Sequence, residues 1–174
     1  DDGLVTLDQP LADILPAFAK MKVQNTPDGS LTDVRDAKTQ ITLRHLLTHT
    51  AGLGYGIIQR GPIARAYQEA GLVGGVFSKL PIPGFTGTVA PSLAEFADRL
   101  ATLPLVYEPG TQWSYSVGLD LLGRVIEVVS GQSFDELLRK RIFEPLDMRS
   151  TWFQVPTSEI GRFTTNYSPL GDIL

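Results

Sequence analysis

The chain has 174 residues, of which 43% are hydrophobic and 20% charged, a composition typical of one globular domain with a substantial core. The net charge of −4 argues against a nucleic-acid partner, because the basic triplet Arg139-Lys140-Arg141 is the only cluster that could neutralise phosphates. Cysteine is absent, which excludes disulfides and thiol catalysis, and the lack of an apolar run of about 18 residues predicts no membrane-spanning helix in this segment.

The first third of the chain predicts turns and loops. Residues 4–18 carry Pro10 and Pro16 around a few apolar positions, which is typical of a turn-rich connector. Residues 25–36 are polar and contain the turn signal Pro27-Asp28-Gly29, so we expect a surface loop there.

Five helices are predicted downstream. Thr42 is expected to cap a short helix that Gly52 ends, and Pro62 and Gly71 frame a second helix over residues 63–70. Residues 71–91, rich in Gly and Pro, predict a long surface segment. Two more helices each begin with a capping box, one at Ser92 to Glu95 and one at Ser133 to Glu136.

A fifth helix lies between those two, and Gly131 closes it. Its predicted buried face comprises Leu122, Val125, Ile126 and Val129. The helix after it is expected to turn Phe134, Leu137, Leu138 and Ile142 inward and to stop before Pro145. Alternation typical of a strand is confined to short pieces such as residues 151–155, so the segment is predicted to be mainly helical.

Tyr115 is the residue that this pattern singles out for chemistry. The turn dipeptide Pro109-Gly110 precedes it and a helix follows it, so the ring is expected on a loop held by rigid elements. An aromatic side chain in such a place also often packs half-buried, without a catalytic role.

Two blocks of the sequence carry a family resemblance. Residues 41–53, ITLRHLLTHTAGL, match one signature, and residues 115–153, from YSV through RIFEPLDM to TWF, match a second in the expected order. Together they resemble serine hydrolases of the class C β-lactamase and penicillin-binding-protein superfamily, and in particular its esterase branch, the family VIII carboxylesterases. The resemblance covers residues 1–153.

The resemblance implies an α/β penicillin-recognising fold. Residues 1–174 would form a single, mostly helical portion of that domain, with most strands of its sheet outside the chain. The family's nucleophile motif, Ser-x-x-Lys, and its C-terminal Lys-Thr-Gly are not present in the sequence. We therefore expect an interior segment of a longer hydrolase, inactive when isolated. In that family, residues 71–91 would overhang the substrate cleft.

The resemblance also assigns roles to residues. Tyr115 would be the general acid/base that shares proton transfer with the lysine of the missing motif. Val117 would lie at the substrate, where lactam-cleaving relatives have an Asn that donates to an amide carbonyl, so its apolar side chain favours esters; alternatively it begins the helix core. Trp113 would line the pocket, or pack in the core.

Other candidate residues carry no predicted chemistry. His45 and His49 have a spacing that can bind zinc, but no third ligand is evident, so neither metal nor cofactor is predicted. In the resembling family this block is structural, and His49 is expected to bond backbone near Gly52. Glu108 and Asp120 are assigned no acid/base role.

The predicted function is that of a carboxylesterase that works through an acyl-serine intermediate on a small-molecule substrate. Within the same class the alternative is a β-lactamase or D-amino-acid peptidase, acting on a lactam or peptide. A non-catalytic helical binding module is the alternative of another class. A Ser-x-x-Lys motif upstream of this segment would favour an enzyme over the module. No oligomeric state or compartment is predicted.

Overall fold

The computed structural model describes residues 3–72 and 88–165. The chain forms two compact units, Asp1–Phe134 and Asp135–Leu174. Most of the predicted surface segment 71–91 lies outside the described residues, so that prediction stays open. Within the described residues, no helix is long and apolar enough to cross a membrane.

The first unit begins with two short 3-10 turns, Leu11–Asp13 and Pro16–Phe18, in agreement with the predicted connector. Strands β1, Lys22–Gln24, and β2, Val34–Asp36, then form an antiparallel pair in which Val23 faces Arg35. The sequence predicted only a loop over residues 25–36, and its end is wrong by three residues. A strand of three residues is too short to show the alternation by which strands are recognised.

Helix α1 spans Leu43–Leu47, and Thr42 caps it as predicted. The Thr42 side chain accepts a hydrogen bond from the His45 amide at 3.3 Å, and the Thr42 amide donates to His45 Nδ1 at 3.2 Å. The prediction that Gly52 ends this helix is wrong, since the helix stops at Leu47. Gly52 instead has a φ of 79°, and a Cβ there would lie 2.0 Å from the Tyr107 carbonyl oxygen. It is a point of close backbone contact.

Helices α2, Gly61–Glu69, and α3, Leu93–Ala101, are found within two residues of the predicted positions. Ser92 caps α3 by accepting a hydrogen bond from the Glu95 amide at 3.2 Å. The Glu95 carboxylate binds Arg99 at 2.9 Å on the next turn of the same helix. The capping signal in the sequence therefore located the start of α3 correctly.

Helix α4 spans Gly118–Ser130 and ends at Gly131, whose φ is 68°, as predicted. It packs against α1 and α3. The predicted buried face is correct at Val125 and misses Leu121, which is fully buried, while Leu122 and Val129 pack against the core but are only partly buried. Contact with two helices selects a different edge of the apolar stripe from the one the sequence suggested.

One hydrophobic core fills the first unit. Every element described above contributes to it except β2, and residues between the elements contribute as well. Its most completely buried side chains are Leu11, Val23, Ile41, Leu46, Leu53, Ile63, Tyr67, Leu72, Leu100, Leu105, Val106 and Leu121.

The second unit is built differently. Helix α5, Phe134–Leu138, leads into a π-helical turn, Arg139–Phe143, and a 3-10 helix follows at Thr157–Arg162. The predicted inward face of this stretch is wrong at Ile142, which is 41% exposed, and only half-buried at Phe134, Leu137 and Leu138; none of the described residues 135–165 is buried. The weak strand-like alternation at residues 151–155 forms no strand, and that piece has no regular structure.

Candidate functional site

The loop that carries Tyr115 is tied to the segment after α1 by backbone hydrogen bonds. The Gly110 amide donates to the Thr50 carbonyl at 2.8 Å, the Ser114 amide to the His49 carbonyl at 3.0 Å, and the Val117 amide to the Gly54 carbonyl at 3.2 Å. The two blocks that carry the resemblance are thus neighbours in space. This tie fixes the loop before α4 begins.

Exposure alternates along the loop. Trp113 is 64% exposed and Tyr115 46% exposed, whereas Ser114, Ser116 and Val117 are buried. The buried residues hold the backbone, and the aromatic rings therefore point to the surface. The structure presents the Tyr115 ring in the manner that the turn and the following helix predict, and its catalytic role stays a prediction.

The Val117 side chain lies in the hydrophobic core and not at the surface. Its side chain is 1% exposed and belongs to the core, and the residue stands at the N-terminus of α4. This arrangement is the alternative in which Val117 begins the helix core. The role of Val117 at the substrate stays a prediction.

His49 contacts the Tyr115 loop with its backbone and its ring. Its Nδ1 atom lies 3.2 Å from Ser116 Oγ and accepts the Ser116 amide at 3.3 Å. Its ring centroid is 4.9 Å from that of Tyr115 and 6.2 Å from that of Trp113, the latter edge-on. The sequence predicted a structural histidine bonded to backbone near Gly52. The observed backbone partner is Ser116, in the Tyr115 loop.

Tyr55 is a neighbour of Tyr115 that sequence reasoning missed, with ring centroids 5.7 Å apart. Its amide donates to Gln59 Oε1 at 2.6 Å, and the preceding Gly54 amide donates to the buried Tyr67 hydroxyl at 2.8 Å. Burial raises the pKa of Tyr67 far above its usual value, so that hydroxyl stays protonated. The sequence signal was a tyrosine between two glycines, Gly54 and Gly56, directly after the first block.

Asp120, in the first turn of α4, belongs to the electrostatic environment of these rings. Burial raises the pKa of its carboxyl, and the opposing effects of its own backbone amide and of His49 do not cancel the rise. The pKa of Tyr55 is also raised, mainly by burial and then by the charge of Asp120. Burial is the main cause of the raised pKa in both groups.

Glu108 is separate from Asp120, and its hydrogen bonds connect two segments of the chain. It binds the Arg35 guanidinium and accepts the amides of Lys38 at 2.6 Å and Thr39 at 2.8 Å. Burial raises the pKa of Glu108, but the hydrogen bonds from Arg35 and the two amides outweigh it and lower the pKa overall. The carboxylate fastens the start of the Tyr115 loop to the end of β2.

The two histidines of the first block serve different elements. His45 completes the cap of α1, and burial lowers its pKa, whereas His49 bonds to Ser116. Within residues 3–72 and 88–165, no three His, Asp or Glu side chains form a group that could hold a metal ion. The described site therefore offers an exposed phenol, flanking aromatic rings and a carboxyl whose pKa is raised by burial.

The chain is similar in sequence and in structure to known proteins. A sequence model of the β-lactamase family matches residues 1–172. Lovastatin esterase of Penicillium rubens is 35% identical over 91% of the chain, and esterase EstB of Burkholderia gladioli is 33% identical over 95%. A solved structure of EstCE1, a hydrolase with promiscuous acyltransferase activity, superposes with a TM-score of 0.64 and 30% identity over 90% of the chain. The chain spans 36% of the length of each of the two esterases and 35% of the EstCE1 chain.

Proposed function

The chain belongs to the β-lactamase family of the serine hydrolase superfamily, with esterases among its relatives, and on that premise we propose that the complete protein is a carboxylesterase acting through an acyl-serine intermediate. The nucleophile would come from a Ser-x-x-Lys motif outside residues 1–174. Tyr115 would be the proton-transfer residue of this chain. The observation that carries the proposal is the presentation of the Tyr115 ring, half-exposed on a loop whose neighbouring residues are buried.

The proposed reaction has two halves. In the first, the serine oxygen bonds to the ester carbonyl carbon, the bond from that carbon to the alcohol oxygen breaks, and the alcohol leaves with a proton passed through the Tyr115 hydroxyl. In the second, the oxygen of a water molecule bonds to the acyl carbon, the bond from that carbon to the serine oxygen breaks, the proton of the water passes through the same relay to the serine oxygen, and the carboxylic acid leaves. A phenol can serve both directions because it donates as tyrosine and accepts as tyrosinate.

The surroundings of Tyr115 support an apolar ester. Trp113 would line the pocket with its large exposed ring, beside the ring of His49. Position 117 carries valine where lactam-cleaving relatives are expected to have an amide donor. Without that donor, a lactam or peptide carbonyl would leave a polar group unpaired, which costs about 1 to 3 kcal/mol. The residue type at position 117 therefore favours esters over lactams, on the sequence-based expectation that this position, buried in the present structure, meets the substrate in the complete protein.

The test is to assay the complete protein with a p-nitrophenyl ester and with nitrocefin, and to measure the intact mass of the protein during turnover. We expect ester hydrolysis to dominate and a mass increase equal to one acyl group. The control is the isolated 174-residue chain, which should release no burst of product, because it lacks the nucleophile motif. Turnover of nitrocefin in preference to the ester would replace the esterase proposal with a β-lactamase. No turnover and no adduct would favour a binding module.

Acyl transfer to an alcohol is a second candidate, favoured by the promiscuous acyltransferase activity stated for EstCE1. The same acyl-serine would then react with an alcohol in place of water. Adding a primary alcohol to the ester assay separates the two. If transfer dominates, the new ester accumulates and free acid falls by the same amount; if hydrolysis dominates, the acid yield is unchanged.

A further inference from the structure

One residue of the first block contacts four consecutive residues of the Tyr115 loop. His49 reaches Trp113 with its ring, Ser114 with its carbonyl, Tyr115 with its ring again, and Ser116 with Nδ1. We propose that His49 is a positioning residue that sets where the Tyr115 hydroxyl lies. This inference rests on the proposed proton transfer by Tyr115, and it concerns how that residue is held.

The backbone of His49 takes a conformation that serves these contacts. Its φ of 53° lies in the left-handed region, which a histidine adopts only where surrounding structure holds it. The turn made there directs the carbonyl at the Ser114 amide, 3.0 Å away, while the ring lies against the loop. The unusual backbone is what lets one residue bond on both sides of Tyr115.

The hydrogen bonds of the ring define its tautomer. The Ser116 amide can only donate, so Nδ1 must accept and carry no proton. The Ser116 hydroxyl then donates to the same nitrogen at 3.2 Å and accepts from the Gly118 amide at 3.3 Å. This chain of bonds runs from His49 through Ser116 to the first residue of α4. It fixes the C-terminal side of Tyr115 to a helix.

The ring itself limits the side chain of Tyr115. The His49 ring is tilted by 46° against Tyr115 at 4.9 Å, and Tyr55 is a second ring neighbour, tilted by 53° at 5.7 Å. Tyr115 is 46% exposed, and these two rings are among the contacts that restrain it. Proton transfer is sensitive to such restraint, because a misplacement of about 1 Å can cost roughly 10²-fold in rate.

The experiment uses substitutions of His49 that keep its backbone conformation. His49→Gly accepts a φ of 53° and removes every side-chain contact, and His49→Asn tolerates the same φ while placing Oδ1 where Nδ1 stood. His49→Asn therefore keeps the Ser116 bonds and loses the ring. His45→Ala, in the same block but bonded to the α1 cap, is the matched control.

In the complete protein we expect His49→Gly to lower kcat by about 10- to 100-fold with little change in KM, because the hydroxyl is misplaced while the binding surface persists. His49→Asn, which keeps the Ser116 bonds without the ring, should recover part of that loss. His45→Ala should lower the Tm and leave kcat unchanged. Equal kcat losses in His49→Gly, His49→Asn and His45→Ala would overturn the proposal, since that pattern reports general destabilisation.

A readout that does not depend on catalysis separates this proposal from the function. With 3-fluorotyrosine incorporated, the 19F resonance of Tyr115 is the one missing in Tyr115→Phe. We expect His49→Gly to shift and broaden it, and His49→Asn to restore it in part. An unchanged resonance in His49→Gly overturns the positioning role. A shifted resonance together with full activity of Tyr115→Phe keeps the positioning role and rejects the function. Should His49→Gly fail to fold, Ser116→Ala must show a smaller shift in the same direction.

Discussion

The Tyr115 loop and residues 135–165 both expose large apolar side chains, but they do so in different structural settings. In the loop, the exposed rings of Trp113 and Tyr115 alternate with buried residues that bond to the segment after α1. In residues 135–165, Phe163 is 67% exposed, and no described residue of that stretch is buried. Exposure in the loop is therefore local and supported by packing, which is the arrangement expected of a group that meets a ligand.

The comparison also teaches how little an apolar pattern specifies without a partner. Both stretches lie within the same family match, and both begin from well-formed sequence signals. The loop and α4 have elements of the first unit packed against them. An amphipathic pattern defines a face, and burial of that face requires a second surface from elsewhere in the chain.

The largest expected effect is on catalysis in the loop. Tyr115→Phe in the complete protein should lower kcat for esters by about 10² to 10⁴ and leave the Tm nearly unchanged, because the hydroxyl transfers a proton while the ring keeps its contacts. Steady-state kinetics and thermal unfolding measure both. The matched control is Tyr107→Phe, which should have no effect on kcat. Full activity of Tyr115→Phe would remove the functional half of the comparison.

The next effect contrasts the two regions in stability. Leu46 is fully buried and Leu146 is 67% exposed, so Leu→Ala at the two positions compares a core with a surface. Leu46→Ala should lower the free energy of unfolding by about 2 to 5 kcal/mol, and Leu146→Ala by no more than about 0.5 kcal/mol. Denaturant titration of each variant measures this. A large loss in Leu146→Ala would mean that another part of the protein covers Leu146, and the contrast would disappear.

Val117→Asn tests whether the side chain at position 117 packs in the core or faces the substrate. Because the Val117 side chain packs in the core, an amide there loses its water partners, and we expect the free energy of unfolding to fall by about 1 to 3 kcal/mol. The ratio of nitrocefin to ester turnover in the same variant tests the sequence-based expectation that a donor at this position favours lactams. A raised ratio without loss of stability would show that the side chain faces the substrate.

The smallest effect concerns the carboxyl of Asp120. Its folded-state pKa is raised by burial, so the folded protein holds this proton more tightly than the unfolded chain, and stability falls as the pH rises from the ordinary aspartate pKa through the raised one. Asp120→Asn removes that loss. The variant should be more stable than the wild type at neutral pH, with the difference closing in acid, where Asp120 is protonated in both states. A difference that grows toward acid pH would contradict the raised pKa.

The starts of the helices and their stops could be predicted to different degrees. Thr42 and Ser92 located two helix starts and Gly131 a helix end, because capping depends on residues within one turn. The sequence predicts a helix end at Gly52, whereas the structure shows that Gly52 lies against the backbone of Tyr107. A glycine needed for such a close approach cannot be distinguished in sequence from a glycine that ends a helix. The three-residue strands had no periodic signal to find.

By itself the sequence determined the family, the mainly helical character of the described segment, and the exposure of Tyr115 on a loop between a turn and a helix, because motifs, caps and turn residues act over a few positions. Only the tertiary structure decided that His49 and Tyr55 are ring neighbours of Tyr115, that Val117 lies in the core, and that none of the described residues 135–165 is buried. The ring contacts of Tyr115 join residues that are about 60 positions apart in the sequence. No local pattern encodes packing between such distant segments, and this packing selects which side of a loop or helix is covered.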